Sequence, residues 1–400
     1  MRYLYCLYLL VLCGWSGEVS GQDPFFSQFY ANRVYLNPAY AGFDGGTQLT
    51  LNYRDQWFGV PDAAGLPFTG GYRTMNATLN QRLPCFGGVE RVNLGVAGSA
   101  FRDQTGLAPF TTSGAAAAVA FEYAVIPPYT NKRKGLTRFD VRAGAQVGAI
   151  QSTLESDYLI YSHQLDPVAG LLGSPSAMGL STGWYQTLNV GMLGRGAIKH
   201  GRNSYTLFTL GASIANLNEP DISLYEGATE VVLPRRTTVH LGFTTKLVSM
   251  RGTRYHQPVL LSPQFRWDTQ VQGALDLLTV GAFVLSNGLY MGAFYQFNPS
   301  NQPAGNTGAF IGGRNTAAAI VSVGMDVRSL MDSGRRHNKR ASGWIVGLSY
   351  DMPVGGLGLA NSSGSLELNF RIMLHQLSNT RCSVLGKNEQ YKGAKCPVNF

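Results

Sequence analysis

The chain carries little charge for its length, and beyond its N-terminus it has no long apolar run. Asp, Glu, Lys and Arg make up 14% of its 400 residues, whereas glycine occurs 49 times. No apolar run after the first segment approaches the roughly 20 residues that a membrane-spanning helix needs. These absences exclude a bundle of membrane helices. Low charge and abundant glycine suit a sheet with many turns and a half-apolar surface.

The sequence also lacks the motifs of catalysis and of metal binding. It contains no Gly-x-Ser-x-Gly elbow, no His-Glu-x-x-His and no phosphate-binding loop. His163, His200 and His240 have no neighbouring ligands at metal-binding spacing, and Asp140 and Glu367 fall among arginines, which predicts ion pairing. We therefore expect no enzyme activity, no metal and no cofactor. No motif for nucleic acid is present, and we expect no nucleic-acid partner.

The N-terminus has the three parts of a secretory signal peptide. Arg2 provides the positive charge, residues 4–15 the apolar stretch, and residues 19–21 a small-residue cleavage site. We expect residues 1–21 to be removed and the mature chain to begin at Gln22. The alternative is a lipoprotein whose mature chain begins at Cys13, but the bulky Leu12 stands before it where a small residue is expected.

Cysteine is scarce, and part of it lies in the signal peptide. The chain has 5 cysteines, of which Cys6 and Cys13 leave with the signal. Cys85, Cys382 and Cys396 remain, and their spacing fits no zinc pattern. An oxidising envelope compartment permits a disulfide. Because Cys382 and Cys396 share a non-repeating tail, we predict that they form the pair and that Cys85 is left over.

Period-two alternation is the main structural signal of the chain. In 365–372 every even position is apolar and every odd position is polar, so a strand here has an apolar face opposite Glu367 and Arg371. The same alternation recurs along almost the whole chain. More than a dozen such strands behind a secretion signal predict an all-β fold, a transmembrane antiparallel β-barrel in an outer membrane.

The alternation predicts about fourteen strands, an even number as bacterial single-chain barrels require. We place them at 47–57, 69–81, 92–103, 111–125, 137–149, 181–193, 205–216, 236–247, 257–267, 270–285, 289–298, 315–328, 343–351 and 364–375. An even count returns both termini to the periplasm. The longest connections, near 150–180, 217–234 and 299–314, then fall on the opposite, extracellular side.

The barrel is predicted to span residues 47–375, between two shorter parts. Residues 22–46 are expected to form a short N-terminal periplasmic segment of helix or coil, and residues 376–400 a periplasmic tail. A soluble β-sandwich is the alternative, since its strands alternate too. Aromatic residues near strand ends favour the barrel, because barrels carry aromatic girdles at both membrane interfaces. They are Trp57, Phe58, Tyr123, Tyr185, Trp267 and Tyr350.

The polar face of the strands is rich in arginine. If it forms the inner wall, that wall includes Arg54, Arg138, Asp140, Arg142, Arg236, Lys246, Glu367 and Arg371. An excess of fixed arginine favours an acidic or carbonyl-rich partner polypeptide through charge-assisted hydrogen bonds. The alternative is a hydrated lumen in which these charges pair among themselves.

The net charge of +9 includes basic clusters at 132–134 and 335–340. Such clusters are solvated turns or contacts with anionic outer-membrane lipid or an acidic partner.

Several motifs in order resemble one family. The start of the mature chain, 22–29, is followed by Leu-Asn-Pro-Ala-Tyr-Ala-Gly at 36–42. A central block covers 211–220, 233–236 and His240, and the ending covers 347–351 and 364–368. These segments resemble the PorP/SprF family of type IX secretion outer-membrane proteins from Bacteroidota, over nearly the whole mature chain.

The resemblance implies an outer-membrane barrel that serves type IX secretion or gliding. Its implied partners are a periplasmic ring lipoprotein, a peptidoglycan-binding protein and the C-terminal domain of a secreted adhesin. The tail from Gln376 to Phe400 departs from the family pattern and looks like the tails of gliding-associated, SprF-like members. We expect a component that supports secretion or surface anchoring of a cargo such as an adhesin. The alternatives are a passive porin-like channel and, less favoured by the absent site, an outer-membrane enzyme.

Overall fold

Fourteen long antiparallel strands form the wall of the molecule. They are β1 (Thr47–Gln56), β2 (Tyr72–Leu83), β3 (Val92–Thr105), β4 (Phe110–Ile126), β5 (Gly135–Leu154), β6 (Tyr185–Gly201), β7 (Ser204–Ala215), β8 (Arg236–Ser249), β9 (Pro258–Gln270), β10 (Asp276–Ser286), β11 (Leu289–Phe297), β12 (Ala318–Asp326), β13 (Trp344–Pro353) and β14 (Ser365–His375). Each strand pairs with the next along the chain.

The computed structural model describes part of the chain. The described residues are 25–44, 46–57, 71–83, 91–106, 110–126, 134–155, 165–166, 170–171, 180–201, 204–224, 231–249, 258–270, 276–286, 288–299, 317–327, 343–354 and 363–375. The predicted signal peptide, the tail 376–400 and Cys85, Cys382 and Cys396 lie outside them.

The sheet closes on itself because the first strand pairs with the last. Asn52 of β1 stands opposite Asn369 of β14, and Arg54 stands opposite Glu367. The predicted closed, antiparallel barrel of fourteen strands is therefore confirmed. Smaller elements accompany the wall: α1 (Arg33–Leu36), a 3-10 turn (Pro38–Tyr40), and three two-residue strands at Leu165–Asp166, Gly170–Leu171 and Leu180–Ser181.

The two faces of the wall follow the alternation of the sequence. In β1, Gln48, Thr50, Asn52 and Arg54 point inward and are buried, whereas Leu51 points outward and is 39% exposed. Most other strands repeat this arrangement, with buried polar side chains inside and exposed apolar ones outside, whereas β10 and β11 also bury Phe283 and Phe294. This is the reverse of a soluble protein and is typical of a barrel whose outer face meets lipid.

The two ends of the barrel differ. We name the end where β1 begins and β14 ends the termini end, and the opposite end the loop end. The strands on either side of 155–184, 216–235 and 298–317 have their adjoining ends at the loop end, as the order of the strands requires. Most connections at the termini end are shorter, such as 202–203 and 287–288, although 327–343 is long.

Large exposed aromatic side chains lie near both ends. Tyr123, Tyr205 and Trp344 lie toward the termini end, and Trp267 lies toward the loop end. These positions match the interfacial girdles of a membrane barrel. No helix in the described part of the chain is long and apolar enough to cross a membrane.

Several strands are longer than the alternation predicts. β5 begins at Gly135 and ends at Leu154, beyond the predicted range of 137–149. Its last residues, Thr153 and Leu154, pair with Ser181 and Leu180 of a short strand. Backbone hydrogen bonds therefore continue beyond the membrane-facing part of the strand. Outside that part neither face has to be apolar, so alternation does not detect the extensions.

Candidate functional site

The N-terminal segment lies inside the barrel. Residues 25–44, named here the plug segment, are buried almost throughout, and Gln28 and Ala39 are completely buried. The sequence predicted a periplasmic segment at 22–46, so the described part of that segment differs from the prediction. The physical reason is that its apolar side chains pack on an apolar patch of the inner wall and its carbonyls accept hydrogen bonds from wall arginines.

That apolar patch is built from aromatic residues of β10 and β11. Tyr30 stacks on Phe294 at a centroid distance of 5.8 Å and meets Phe283 edge to face at 4.4 Å. Phe29 meets Phe294 edge to face at 6.1 Å. Such aromatic pairs contribute about 0.5–1.5 kcal/mol each beyond their buried area.

The start of the plug segment is held by carboxylates near the loop end. The backbone N–H of Ser27 donates to Glu367 Oε2 at 2.7 Å, and the N–H of Gln28 donates to the same carboxylate at 3.2 Å. The Ser27 hydroxyl donates to Asp351. Arg54 lies between the two carboxylates, 3.0 Å from Asp351 and 3.5 Å from Glu367. This group fixes residues 27–28 against β1, β13 and β14.

Two more inner-wall arginines bind backbone carbonyls of the plug segment. Arg266 donates to the carbonyl of Phe26 at 3.1 Å and pairs with Asp268. Arg371 donates to the carbonyl of Ala31 at 3.2 Å. Charge-assisted bonds of this kind are stronger than neutral ones.

The end of the plug segment is held by a second charged group, centred on Glu122. This carboxylate pairs with Arg82 and Arg142, and lies 3.3 Å from Arg195. Arg142 also donates to the carbonyls of Ala39, at 2.8 Å, and Ala41. Glu122 pairs with Arg142 and thereby holds the guanidinium group that donates to the carbonyls of the plug segment.

Asp140 extends this charged group. Its carboxylate lies 3.0 Å from Arg195 and 2.5 Å from Arg138. The guanidinium of Arg195 also stands 4.5 Å above the ring of Phe43. A cation over an aromatic face is favourable, so Phe43 is fixed by charge as well as by packing.

The Asn-Pro-Ala-Tyr-Ala-Gly motif forms a compact turn in the middle of the lumen. The Asn37 side chain accepts from the N–H of Ala39 at 2.9 Å, and Pro38 opens the 3-10 turn. The Asn37 amide donates to the carbonyls of Met192 at 3.0 Å and Ala212 at 3.1 Å. It therefore caps the turn and ties it to β6 and β7.

His240 contacts the same turn. Its ring lies 3.2 Å from the Asn37 amide nitrogen and 3.4 Å from the Tyr40 hydroxyl, and it stacks on the Tyr40 ring. A histidine without metal-ligand spacing in the sequence is thus part of a buried polar contact. Among the described residues, no group of His, Cys, Asp and Glu is placed to hold a metal ion.

Glycines of the wall make room for the turn. A Cβ at Gly191 would lie 2.1 Å from Asn37 Oδ1, one at Gly144 would lie 2.5 Å from the Ala39 nitrogen, and one at Gly95 would lie 1.9 Å from the Ala41 oxygen. The backbones of wall and turn approach closely because these positions carry no side chain.

The predicted inner-wall residues fall into three groups. The first group contacts the plug segment and consists of Arg54, Arg142, Glu367, Arg371 and Arg236. The guanidinium of Arg236 stands 5.4 Å from the ring of Tyr35 in that segment. Arg138 and Asp140 pair with each other, and Lys246 is half-buried in β8. Of these arginines, Arg142 and Arg371 bind backbone carbonyls of the chain's own N-terminal segment.

Glu122, Arg82, Arg195, Arg266 and Asp268 were not among the predicted site residues. The sequence pattern could have identified them, because the alternation that places Arg142 inward also places these side chains on the inner face. The ion pairs of Glu122, however, join β2, β4, β5 and β6, and spacing along the sequence does not indicate that these charges meet. Arg266 and Asp268 pair within β9, two residues apart.

Together, the closed wall, its lipid-type outer face and the polar interior define an outer-membrane β-barrel protein whose lumen holds its own N-terminal segment. The chain belongs to the PorP/SprF family, described as type IX secretion system membrane proteins, whose model matches residues 18–372. This is a family of secretion-system membrane barrels and not a known enzyme family. No curated protein matches the chain.

Solved structures similar to the chain include three bacterial barrels. A Pseudomonas aeruginosa FadL homologue is 12% identical, covers 86% of this chain and 93% of its own, and has a TM-score of 0.37. The beta domain of the Bordetella autotransporter BrkA is 9% identical over 82% and 99%, with a TM-score of 0.34. Acinetobacter baumannii Omp33 is 8% identical over 83% and 98%, with a TM-score of 0.33.

Proposed function

We propose that this barrel is a non-enzymatic anchor of the type IX secretion or gliding machinery. It holds a secreted cargo, such as the C-terminal domain of an adhesin, at the outer membrane. It also connects to the periplasmic ring lipoprotein and the peptidoglycan-binding protein of the system. The observation that carries this proposal is the lumen, which contains the plug segment fastened at both of its ends. A partner polypeptide therefore binds at the mouths of the barrel.

The ordered connection 216–224 and 231–235 at the loop end supports a docking surface there. Its two halves are joined by the bond from Ile222 N–H to the Val231 carbonyl, 2.7 Å, and the Asn218 amide binds the Gln186 carbonyl at 2.7 Å. Glu219 has a φ of 42°. Rare backbone conformations of non-glycine residues persist where the surroundings hold them, often at functional sites.

Exposed apolar side chains lie within this connection and beside it. Trp184 is 67% exposed and Val231 is 38% exposed. Tryptophan is enriched among the residues that dominate protein–protein binding energies. Hydrogen bonds within the described parts of this connection, together with an exposed tryptophan nearby, suit recognition of a folded cargo domain on the extracellular side, where the long connections of such barrels lie.

The second candidate function is a passive channel for small solutes. The polar inner wall allows a channel, but many polar side chains of that wall bind the plug segment. The two candidates differ in conductance. In planar bilayers, the purified full chain is expected to give no stable open-channel current, because Arg142 and Glu367 hold the plug segment in place. Steady conductance by most inserted barrels, without any bound protein, would support the channel.

A photo-crosslinking experiment tests the docking surface. A photoreactive amino acid replaces Trp184 at the loop end or, as the matched control, the exposed His200 at the termini end. We expect position 184 to capture the cargo domain in intact cells. Position 200 should capture only periplasmic components of the secretion system. If neither position captures a polypeptide while the barrel assembles normally, the anchor proposal is wrong.

A further inference from the structure

A shallow groove runs along the outer, lipid-facing side of the wall. It crosses β13, β14, β1, β2 and β3 and has a volume of about 640 Å³. This volume is within the range of pockets that hold small molecules. The groove lies outside the lumen and shares none of the contacts of the plug segment.

The register of the strands explains the depression. Ala77 stands opposite Ala100 on one side and Leu51 on the other, and Leu51 stands opposite Phe370. Directly opposed residues share a face, so two adjacent alanines lie beside larger apolar side chains. Met75, 50% exposed, borders the alanines toward the loop end. The result is an apolar furrow rather than a flat surface.

Polar groups border the groove on its loop-end side. Arg102 stands opposite Met75 on the outer face and is exposed. One step nearer the loop end, Arg73 lies 3.7 Å from Asp55, which also accepts from the Tyr53 hydroxyl at 3.3 Å. In the part of the chain that the structure describes, Arg102 forms no ion pair with a carboxylate. The border therefore has two cations and one anion.

We propose that this groove binds one anionic membrane lipid. Its phosphate contacts Arg102, and an acyl chain lies along Ala77 and Ala100 between Leu51 and Phe370. The occupant follows from the surroundings, because an outer face of this kind meets the bilayer and a lipid alone has both an apolar chain and a phosphate at that depth. Arginine side chains lay their aliphatic stems along apolar surface while the guanidinium reaches the head groups, and Arg102 lines this groove. The site is independent of the cargo-holding role.

Native mass spectrometry of the full-length protein tests the site. The protein is purified in detergent, stripped of lipid and titrated with phosphatidylglycerol or with zwitterionic phosphatidylcholine. We expect one tightly bound phosphatidylglycerol. Arg102→Gln should weaken its binding about tenfold, the change that corresponds to losing one charge-assisted contact. Ala100→Trp, which fills the groove, should abolish the one-lipid species.

Two matched variants separate this site from general lipid adsorption. Arg91→Gln removes an exposed cation at the termini end of β3, and Ala143→Trp adds the same bulk to an exposed outward position on β5. Both should bind phosphatidylglycerol like the unchanged chain. Equal binding by all variants, or equal binding of the two lipids, would overturn the proposal. Heat-modified gel migration confirms that each variant is a folded barrel.

Discussion

Buried charges of the inner wall contact one another and the plug segment. Glu122 is fully surrounded by wall residues, and Arg82, Arg142 and Arg195 all direct their guanidinium groups to it. Removing one partner of a buried charge group leaves the others uncompensated, which is more costly than never having the group. We therefore expect substitution of Glu122 to lower the stability of the barrel more than substitution of any other inner-wall residue.

We predict that Glu122→Gln destabilises the barrel by about 3–5 kcal/mol, because three buried arginines lose their common anion. Denaturant unfolding in lipid vesicles measures the change. Glu155→Gln, which alters an exposed carboxylate at the end of β5, is the control and should change stability by less than about 0.5 kcal/mol. Equal stability of both variants would contradict the role of this charged group.

The wall glycines provide a second prediction at the scale of one residue. Gly144→Ala places a Cβ 2.5 Å from the Ala39 nitrogen. Overpacking of this kind typically costs about 1–3 kcal/mol. Hydrogen exchange should show faster exchange in residues 37–43. Gly98→Ala is the control, since a Cβ there meets nothing within 4 Å. Unchanged exchange in Gly144→Ala would mean that the turn does not rest on this strand.

At the scale of one strand, the outer face of β14 reports depth in the membrane. Leu368 is 43% exposed and Leu374 is 53% exposed, and both point outward on the same strand. We predict that Leu368→Arg destabilises the barrel by about 2–4 kcal/mol in lipid vesicles. Leu374→Arg, next to the strand end, should cost about 0–1 kcal/mol. A neutral Leu368→Arg would reverse the assignment of the faces.

The plug segment behaves differently from the strands at the scale of elements. It contains only α1, of four residues, and one short 3-10 turn. Such short elements are not stable alone, since helix formation needs a longer run. Its conformation therefore depends on the wall around it, and no local periodicity in 25–44 indicates where it lies.

At the scale of the molecule, the plug segment runs from the loop-end half of the lumen to the start of β1 at the termini end. Phe25 lies between Arg54, 5.8 Å away, and Arg266, 4.3 Å away. With Cys85, Cys382 and Cys396 replaced by serine, we predict that Phe25→Cys reacts with a membrane-impermeant maleimide on intact cells. The exposed Asp221→Cys should react as a positive control.

His200→Cys, at the termini end, should react only after the outer membrane is permeabilised. The opposite pattern, with His200→Cys labelled and Phe25→Cys protected until permeabilisation, would reverse the proposed orientation of the barrel.

The C-terminal tail adds a prediction that lies outside the described residues. We predict that Cys382 and Cys396 form a disulfide. Closing a loop of this size contributes about 3 kcal/mol on chain-entropy grounds. Peptide mapping without reductant should recover the linked peptides. Free thiols at both positions, or a bond from Cys85 to either, would contradict the pairing.

The sequence by itself determined the wall. Period-two alternation is a local property, because each strand must show lipid an apolar face and the interior a polar one, so fourteen strands and their faces could be read from neighbouring residues. The inward positions of Arg54, Arg142 and Glu367 followed in the same way. The motifs at 36–42 indicated the family but not where that segment lies.

Only the tertiary structure decided what fills the lumen. Ser27 meets Glu367, and Ala39 meets Arg142, across long separations in sequence. Such contacts arise only when β1 pairs with β14 and the wall closes, because closure brings buried donors and the aromatic rings of Phe283 and Phe294 around one enclosed space. The plug segment, which has no periodicity of its own, forms its hydrogen bonds and becomes buried inside this space. Strand register also decides the outer groove: Ala77 stands opposite Ala100 between β2 and β3, and closure places Phe370 opposite Leu51. Cross-strand neighbours are a property of register and not of any single strand.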